Sequence, residues 1–215
     1  MTSTELTIFV AATVLVVGWF AVGTQFNLHR GKKTLAWLQD GLKLLGDRTS
    51  LRWLGTAAVE LKIQNAKEPF RQAELVVVLE PRDVPFLWWY YHLRGRCDLL
   101  IVRAQLRSIP GAEFEALDPG TWSARGVESK LRFRNWNPVP VTTPPLVAYA
   151  AGTPPAAADL LESLHRAGCQ PVRLAVRRTE PNLEIHCRLD EVRKLPAQVL
   201  IEAIRRIPLS IAKVR

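Results

Sequence analysis

Residues 6–23 read LTIFVAATVLVVGWFAVG, and the assignment of this stretch governs the rest of the chain. It carries no charge, and Thr7 and Thr13 are its clearly polar members. At about 1.5 Å per residue it extends roughly 27 Å as a helix, close to the hydrocarbon thickness of a bilayer. In lipid the backbone must satisfy its own hydrogen bonds, which makes a helix the expected form. We therefore read a transmembrane helix over residues 6–26, with residues 1–5 as a short extracytoplasmic N-terminus. A signal peptide and a buried core helix are the alternatives. The former calls for a basic leader, whereas MTSTE holds Glu5 and no Lys or Arg. No small-x-small cleavage site follows in GTQFNLHRGKK, and no polar face recurs as in a soluble core helix.

Charge then sets orientation. Arg30, Lys32 and Lys33 follow the span, with His29 beside them. The positive-inside rule places the C-terminal side in the cytoplasm, so a single-pass protein of the inner membrane is expected. The chain has 215 residues and a net charge of +9; Glu5 is the one acid before residue 25, which leaves the remainder at about +10. Near a bilayer that charge favours anionic headgroups; nucleic acid is the rival partner, and a solvated basic surface the plainest reading. Cys97, Cys169 and Cys187 are odd in number and form no CxxC, as expected of reduced thiols rather than a disulfide frame or metal site.

Behind the span, residues 27–50 are expected to hold a juxtamembrane amphipathic helix. Leu35, Leu38, Leu42 and Leu45 recur at helical spacing, and Gly46 is a natural stop. Arg30, Lys32, Lys33 and Trp37 are its candidate lipid contacts, although its leucines would equally suit packing on the domain behind.

From residue 51 the period changes to two. Val59, Leu61 and Ile63 alternate with polar residues, and LVVVL at 75–79 has the look of a central strand. Residues 85–94, PFLWWYYHLR, predict a helix closed by Gly95, and residues 99–106 a further strand. AEFEALD from Ala112 is expected to pair with that strand across Ile109-Pro110-Gly111; DPGTWSARG, 118–126, reads as a linker. In the second half, Leu131 and Phe133 alternate with Lys130, Arg132 and Arg134 as in a strand. The proline-rich NPVPVTTPP leads to a strand LVAYA, and Thr153-Pro154-Pro155 to a helix bearing Leu160, Leu161 and Leu164. Strands about Val172–Val176 and Leu183–Leu189 form a hairpin across TEPN, and a last helix runs from Pro196 until Pro208 stops it.

The expected class is α+β: a transmembrane helix, then a mixed-sheet α/β domain of two units, 51–126 and 127–215. ELKIQN resembles KLRFRN, LVVVL resembles LVAYA, and Cys97 answers Cys169, which suggests a duplicated strand-strand-helix-strand-strand unit. Chance resemblance is the alternative. Each strand-helix-strand core suits a parallel crossover. Helices would cover one sheet face, leaving Arg132, Arg134, Arg173, Arg177 and Arg188 on the other.

No nucleotide-loop, dinucleotide, zinc-protease or serine-hydrolase motif is present. His186 and Cys187 point to opposite faces of a strand and cannot act as a nucleophile–base pair. His92 and His165 suit helix C-terminal ends. Glu113 and Glu115 share a strand face with nothing basic spaced in sequence to match them. No catalytic residue, cofactor or metal ligand is assigned. The cluster Trp88, Trp89, Tyr90, Tyr91 either completes a core or meets a bilayer interface or partner. These readings predict a non-enzymatic, membrane-anchored binding module, an accessory subunit that contacts lipid and a protein partner or a second copy. Its partner-binding candidates are Trp88, Trp89, Arg132, Arg134, Arg173, Arg177 and Arg188. A membrane-tethered nucleic-acid binder and a membrane-bound enzyme are the alternatives.

Overall fold

The computed structural model describes residues 2–124, 126–141, 143–152 and 157–211. It begins with one unbroken helix, α1 (Ser3–Leu45). Thr2 and Glu5 form a reciprocal capping box at its start, and Gly46 ends it, its N–H donating to Leu42 O. The expected separate helix over 27–50 is instead the second half of α1, and residues 49–50 already belong to a strand. No proline interrupts the helix, so nothing forces a break between its halves.

The two halves of α1 live in different surroundings. Leu6, Phe9, Leu15, Val17 and Val22 are exposed. From Gly23 onward a narrow stripe is buried: Gly23, Asn27, Gly31, Thr34, Leu38, Gly41 and Leu45. That 3–4 spacing is the face a helix lays on a scaffold. The first half is long and apolar enough to cross a membrane.

Among the described residues, nine strands form one sheet. They are β1 (Thr49–Trp53), β2 (Ala58–Gln64), β3 (Phe70–Val78), β4 (Leu99–Leu106), β5 (Glu113–Leu117), β6 (Asn137–Val139), β7 (Val147–Ala151), β8 (Pro171–Val176) and β9 (Leu183–Arg188). Their spatial order is β1-β2-β3-β4-β9-β8-β5-β7-β6, and every neighbouring pair is antiparallel. The fold is thus α+β, a long apolar N-terminal helix followed by an antiparallel sheet with helices.

Several expectations are corrected by this topology. The segment at Glu113 does not pair with β4; β9 takes that place, and β5 lies between β7 and β8. The helix α2 (Pro85–Leu93) joins neighbouring antiparallel strands, not a parallel crossover. The helix α4 (Ala157–Arg166) joins β7 to β8 across β5, so those two strands run parallel with β5 between them. The two halves therefore close differently, and the expected duplication is not reproduced in the pairing. Residues 153–155, expected to open α4, lie outside the described residues.

Lys130–Arg134 is not a strand. Residues Val127–Phe133 form a helix, α3, whose Leu131 is buried with Leu117 and Tyr149. Alternation over five residues fits a short helix and a strand equally, and here the burial of Leu131 against Leu117 and Tyr149 decides. The short helix α5 (Leu189–Val192) takes over where β9 was expected to continue. The last helix, α6 (Ala197–Ile211), runs through Pro208 instead of stopping there. Proline forfeits one backbone bond in a helix, and burial of Ile204, Ile207 and Pro208 holds the segment in place.

One sheet face carries Val59, Leu61, Leu75, Val77, Leu100, Val102, Ile185 and Leu174. The C-terminal half of α1, with α4, α5 and α6, covers it. Gly41 lets α1 approach α6 closely: a Cβ there would stand 2.9 Å from Ala197 O. The opposite face carries Glu60, Lys62, Glu74, Arg103, Glu184, His186 and Arg188 with Val76, Val78, Leu99 and Ile101 among them, and it is capped by α3 at the β5–β7 end.

Candidate membrane-proximal site and sheet face

The junction between the exposed and packed halves of α1 is built from a loop that follows β3. Gly23 rests on the backbone of Arg82 and Asp83. One turn on, the buried Asn27 side chain donates to Glu80 O at 3.0 Å. Trp19 Nε1 donates to Arg82 O at 2.9 Å, and Arg82 stacks over the Phe26 ring at 5.3 Å. Backbone carbonyls that β3 leaves behind thus find donors on α1.

Beneath them lies a compact charge network. Asp98, almost wholly buried, accepts from Glu80 N–H at 2.8 Å, from Arg82 Nη1 at 2.9 Å, and from Arg30. Arg30 also reaches Asp190 at the start of α5. Glu80 takes Arg82 Nη2 at 2.8 Å, Trp88 Nε1 at 3.2 Å and a bond with His92 Nδ1 at 2.9 Å. Burial disfavours the Arg30 cation, but Asp98 and Asp190 more than offset that and hold its pKa above the ordinary value. Arg30 is therefore engaged inside the protein and is not a free headgroup contact. Trp37 is likewise engaged, its Nε1 donating to Leu195 O at 2.9 Å. Lys32 and Lys33 are exposed. Cys97, next to this network, has its thiol pKa pushed up chiefly by burial.

The aromatic helix α2 starts beside the same loop, with Pro85 in its first turn and Gly95, at φ 75°, past its end. None of its residues is buried. Phe86, Leu87, Tyr90 and Leu93 are exposed, so they do not pack on the sheet. Trp88 turns toward α1, its ring 6.2 Å from that of Trp19, while Trp89 faces outward. His92 is bonded to Glu80 as described; His165 bonds with Gln170 at 2.9 Å.

On the polar sheet face, register brings Arg173 opposite His186 and Ala175 opposite Glu184, with Glu115 on the next strand. Arg173 Nε donates to Glu115 at 2.6 Å, and Arg177 Nη2 to the same carboxylate at 3.1 Å. Both arginines also lie within 3.6 Å of Glu184. His186 Nε2 bonds with Glu184 at 2.7 Å. This bond, opposing burial and helped by Arg173 and Arg177, lowers the Glu184 pKa to about 2. Further along the face Arg103 is paired with Glu74, Lys62 with Glu60 and Arg188 with Asp118. The expected arginine-rich face is a lattice of ion pairs. Glu115 has its basic partners after all, brought from 58 and 62 residues away.

Arg134 is exposed at the end of α3, and Arg132 lies in that helix, its side chain outside the described ones. Neither is on a sheet face. The structure brings Arg173, Arg177 and Arg188 together on one face, and sets Trp88 and Trp89 apart at the α1 junction. Sequence reading missed Gly23, Asn27, Glu80, Arg82, Asp98 and Asp190. A signal for the first two existed: Gly23, Asn27 and Gly31 recur every fourth residue, a stripe of small and polar residues on one helix face. No family model matches this chain, and no curated protein matches it in sequence.

Proposed function

We propose that this chain is a single-pass membrane protein whose basic domain lies on the cytoplasmic side of the inner membrane. There it serves as a non-enzymatic binding module, an accessory subunit of a membrane complex. The observation that carries this reading is the continuity of α1, whose exposed apolar half runs without a break into a half fixed by Asn27, Arg30 and Asp98. A helix held that way couples the span rigidly to the domain, which suits a subunit that presents a surface at a set height and angle above a bilayer. Lys32 and Lys33, exposed just beyond the junction, support the orientation. The wide polar face of the sheet is the surface offered to a protein partner.

Affinity purification of the full chain from membranes opened with a mild detergent tests the proposal. A stoichiometric partner that co-elutes supports it. A chain that elutes alone and turns over a metabolite overturns it, as does removal of the domain by protease added outside intact cells. The nucleic-acid reading draws less support, because Arg173, Arg177 and Arg188 each face a carboxylate.

A further inference from the structure

Four exposed residues of α2 fall at i, i+3, i+4 and i+7: Phe86, Trp89, Tyr90 and Leu93. On a helix that spacing makes one stripe. Phe86 is 79% exposed, Leu93 68% and Trp89 62%. Leu87 and Val84 extend the apolar surface. A water-facing helix of this composition is unusual, since large apolar surfaces mark a contact.

Its location says with what. The chain leading into α2 is bonded to α1 at Trp19 and packed against Gly23, at the last turns of the exposed apolar half. Trp88 and Arg82 close one side of a groove of about 550 Å³, whose α1 wall includes Val14, Leu15, Gly18 and Val22. The helix that bears the stripe is thus seated where the exposed half of α1 ends, with its Trp88 side against α1 and the stripe turned outward. At the far end of α2, Arg94 lies 4.3 Å over the Tyr90 ring and Arg96 4.8 Å over Tyr91. Aromatic rings with a polar handle and adjoining cations suit the layer between acyl chains and phosphates.

We propose that α2 lies in the headgroup layer of the membrane as a second, in-plane contact, with Phe86, Trp89, Tyr90 and Leu93 facing the acyl chains. The proposal rests on the reading of α1 as a membrane span. With α1 crossing and α2 lying flat, the domain meets the bilayer at two points and cannot swivel about one helix.

Spin-label accessibility on the full chain in phosphatidylglycerol–phosphatidylethanolamine vesicles tests this. Labels are placed singly at Leu15→Cys, Phe86→Cys, Trp89→Cys, Leu93→Cys and Gln39→Cys, in a Cys97→Ser background. Cys169 and Cys187 are buried, and the background without an added cysteine reports any labelling there. The expected result is that positions 86, 89 and 93 are reached by oxygen and shielded from a water-soluble nickel complex, as position 15 is, while position 39 shows the reverse. If position 15 behaves as lipid-immersed but 86, 89 and 93 are open to nickel, α2 stands in water and this inference falls while the span survives. Shielding of those three from both reagents means a protein covers α2, which also overturns it. Nickel access at position 15 removes the span itself.

Discussion

Gly23 lies so close to Arg82 that a Cβ placed on it would stand 2.3 Å from the Arg82 carbonyl oxygen. The approach lets the neighbouring Asn27 and Trp19 side chains reach carbonyls on the same loop. A larger residue at 23 must push the loop and α1 apart. Gly23→Val is expected to lower stability by about 1–3 kcal/mol, the usual cost of overpacking. Gly18→Ala, with nothing within 4 Å of the added carbon, is expected to be near neutral. Thermal unfolding of both variants in mild detergent, followed by circular dichroism, compares the two.

Asp98 is the centre of the charge network, and its position below the surface makes it costly to remove. It accepts from two guanidinium groups and a backbone amide. Asp98→Ala leaves Arg30 with Asp190 alone and Arg82 with Glu80, and takes the acceptor from the buried Glu80 N–H, at an expected cost of about 3 kcal/mol. Asp190, the other partner of Arg30, has a side chain 70% exposed. Asp190→Ala is expected to cost no more than about 1 kcal/mol. Denaturant titration of the two variants separates these sizes, and equal losses would show that the network does not hold α1 to the domain.

Much of the sheet was legible because its strands alternate. Val59, Leu61 and Ile63 declared β2, and residues 99–106 mark β4 to the residue. What sequence could not convey was which strand lies beside which. β9 pairs with β4 through residues 79 to 89 positions apart, and no local pattern encodes that pairing. The same gap hid the site. Glu115 looked unmatched because Arg173 and Arg177 meet it only through the β5–β8 register. Arg30 looked like a lipid contact because Asp98 and Asp190 lie far along the chain. Lys130–Arg134 failed for a different reason, since five alternating residues carry too little signal to separate a strand from two helical turns.

Glu184 makes stability depend on acid. Its folded pKa of about 2 lies below the ordinary value of 4.5, so the folded state holds the carboxylate more tightly than the unfolded chain does. That contribution is fully present above 4.5 and is lost as pH falls from there toward 2. Glu184→Gln is expected to lower stability near neutrality by about 2 kcal/mol and to flatten the loss between pH 4.5 and 2. Unfolding free energies measured at intervals across that range test the sign as well as the size. An unchanged acid slope in the variant would mean that His186, Arg173 and Arg177 do not hold Glu184 ionised.

The ion-paired face also predicts how the domain treats nucleic acid. A protein that neutralises six or more phosphates loses about a thousandfold in affinity between roughly 50 and 200 mM salt. Here Arg173 and Arg177 share Glu115 and Glu184, and Arg188 is 3.5 Å from Asp118. A phosphate would have to displace those carboxylates, leaving Glu115 buried without its partners. Filter binding of the full chain in nanodiscs is therefore expected to show weak retention at both salt concentrations. The double variant Arg134→Glu, Arg188→Glu is expected to behave as the parent does. Tight retention at low salt that the double variant abolishes would mean the carboxylates yield, and the basic charge of the domain would then have a nucleic-acid role.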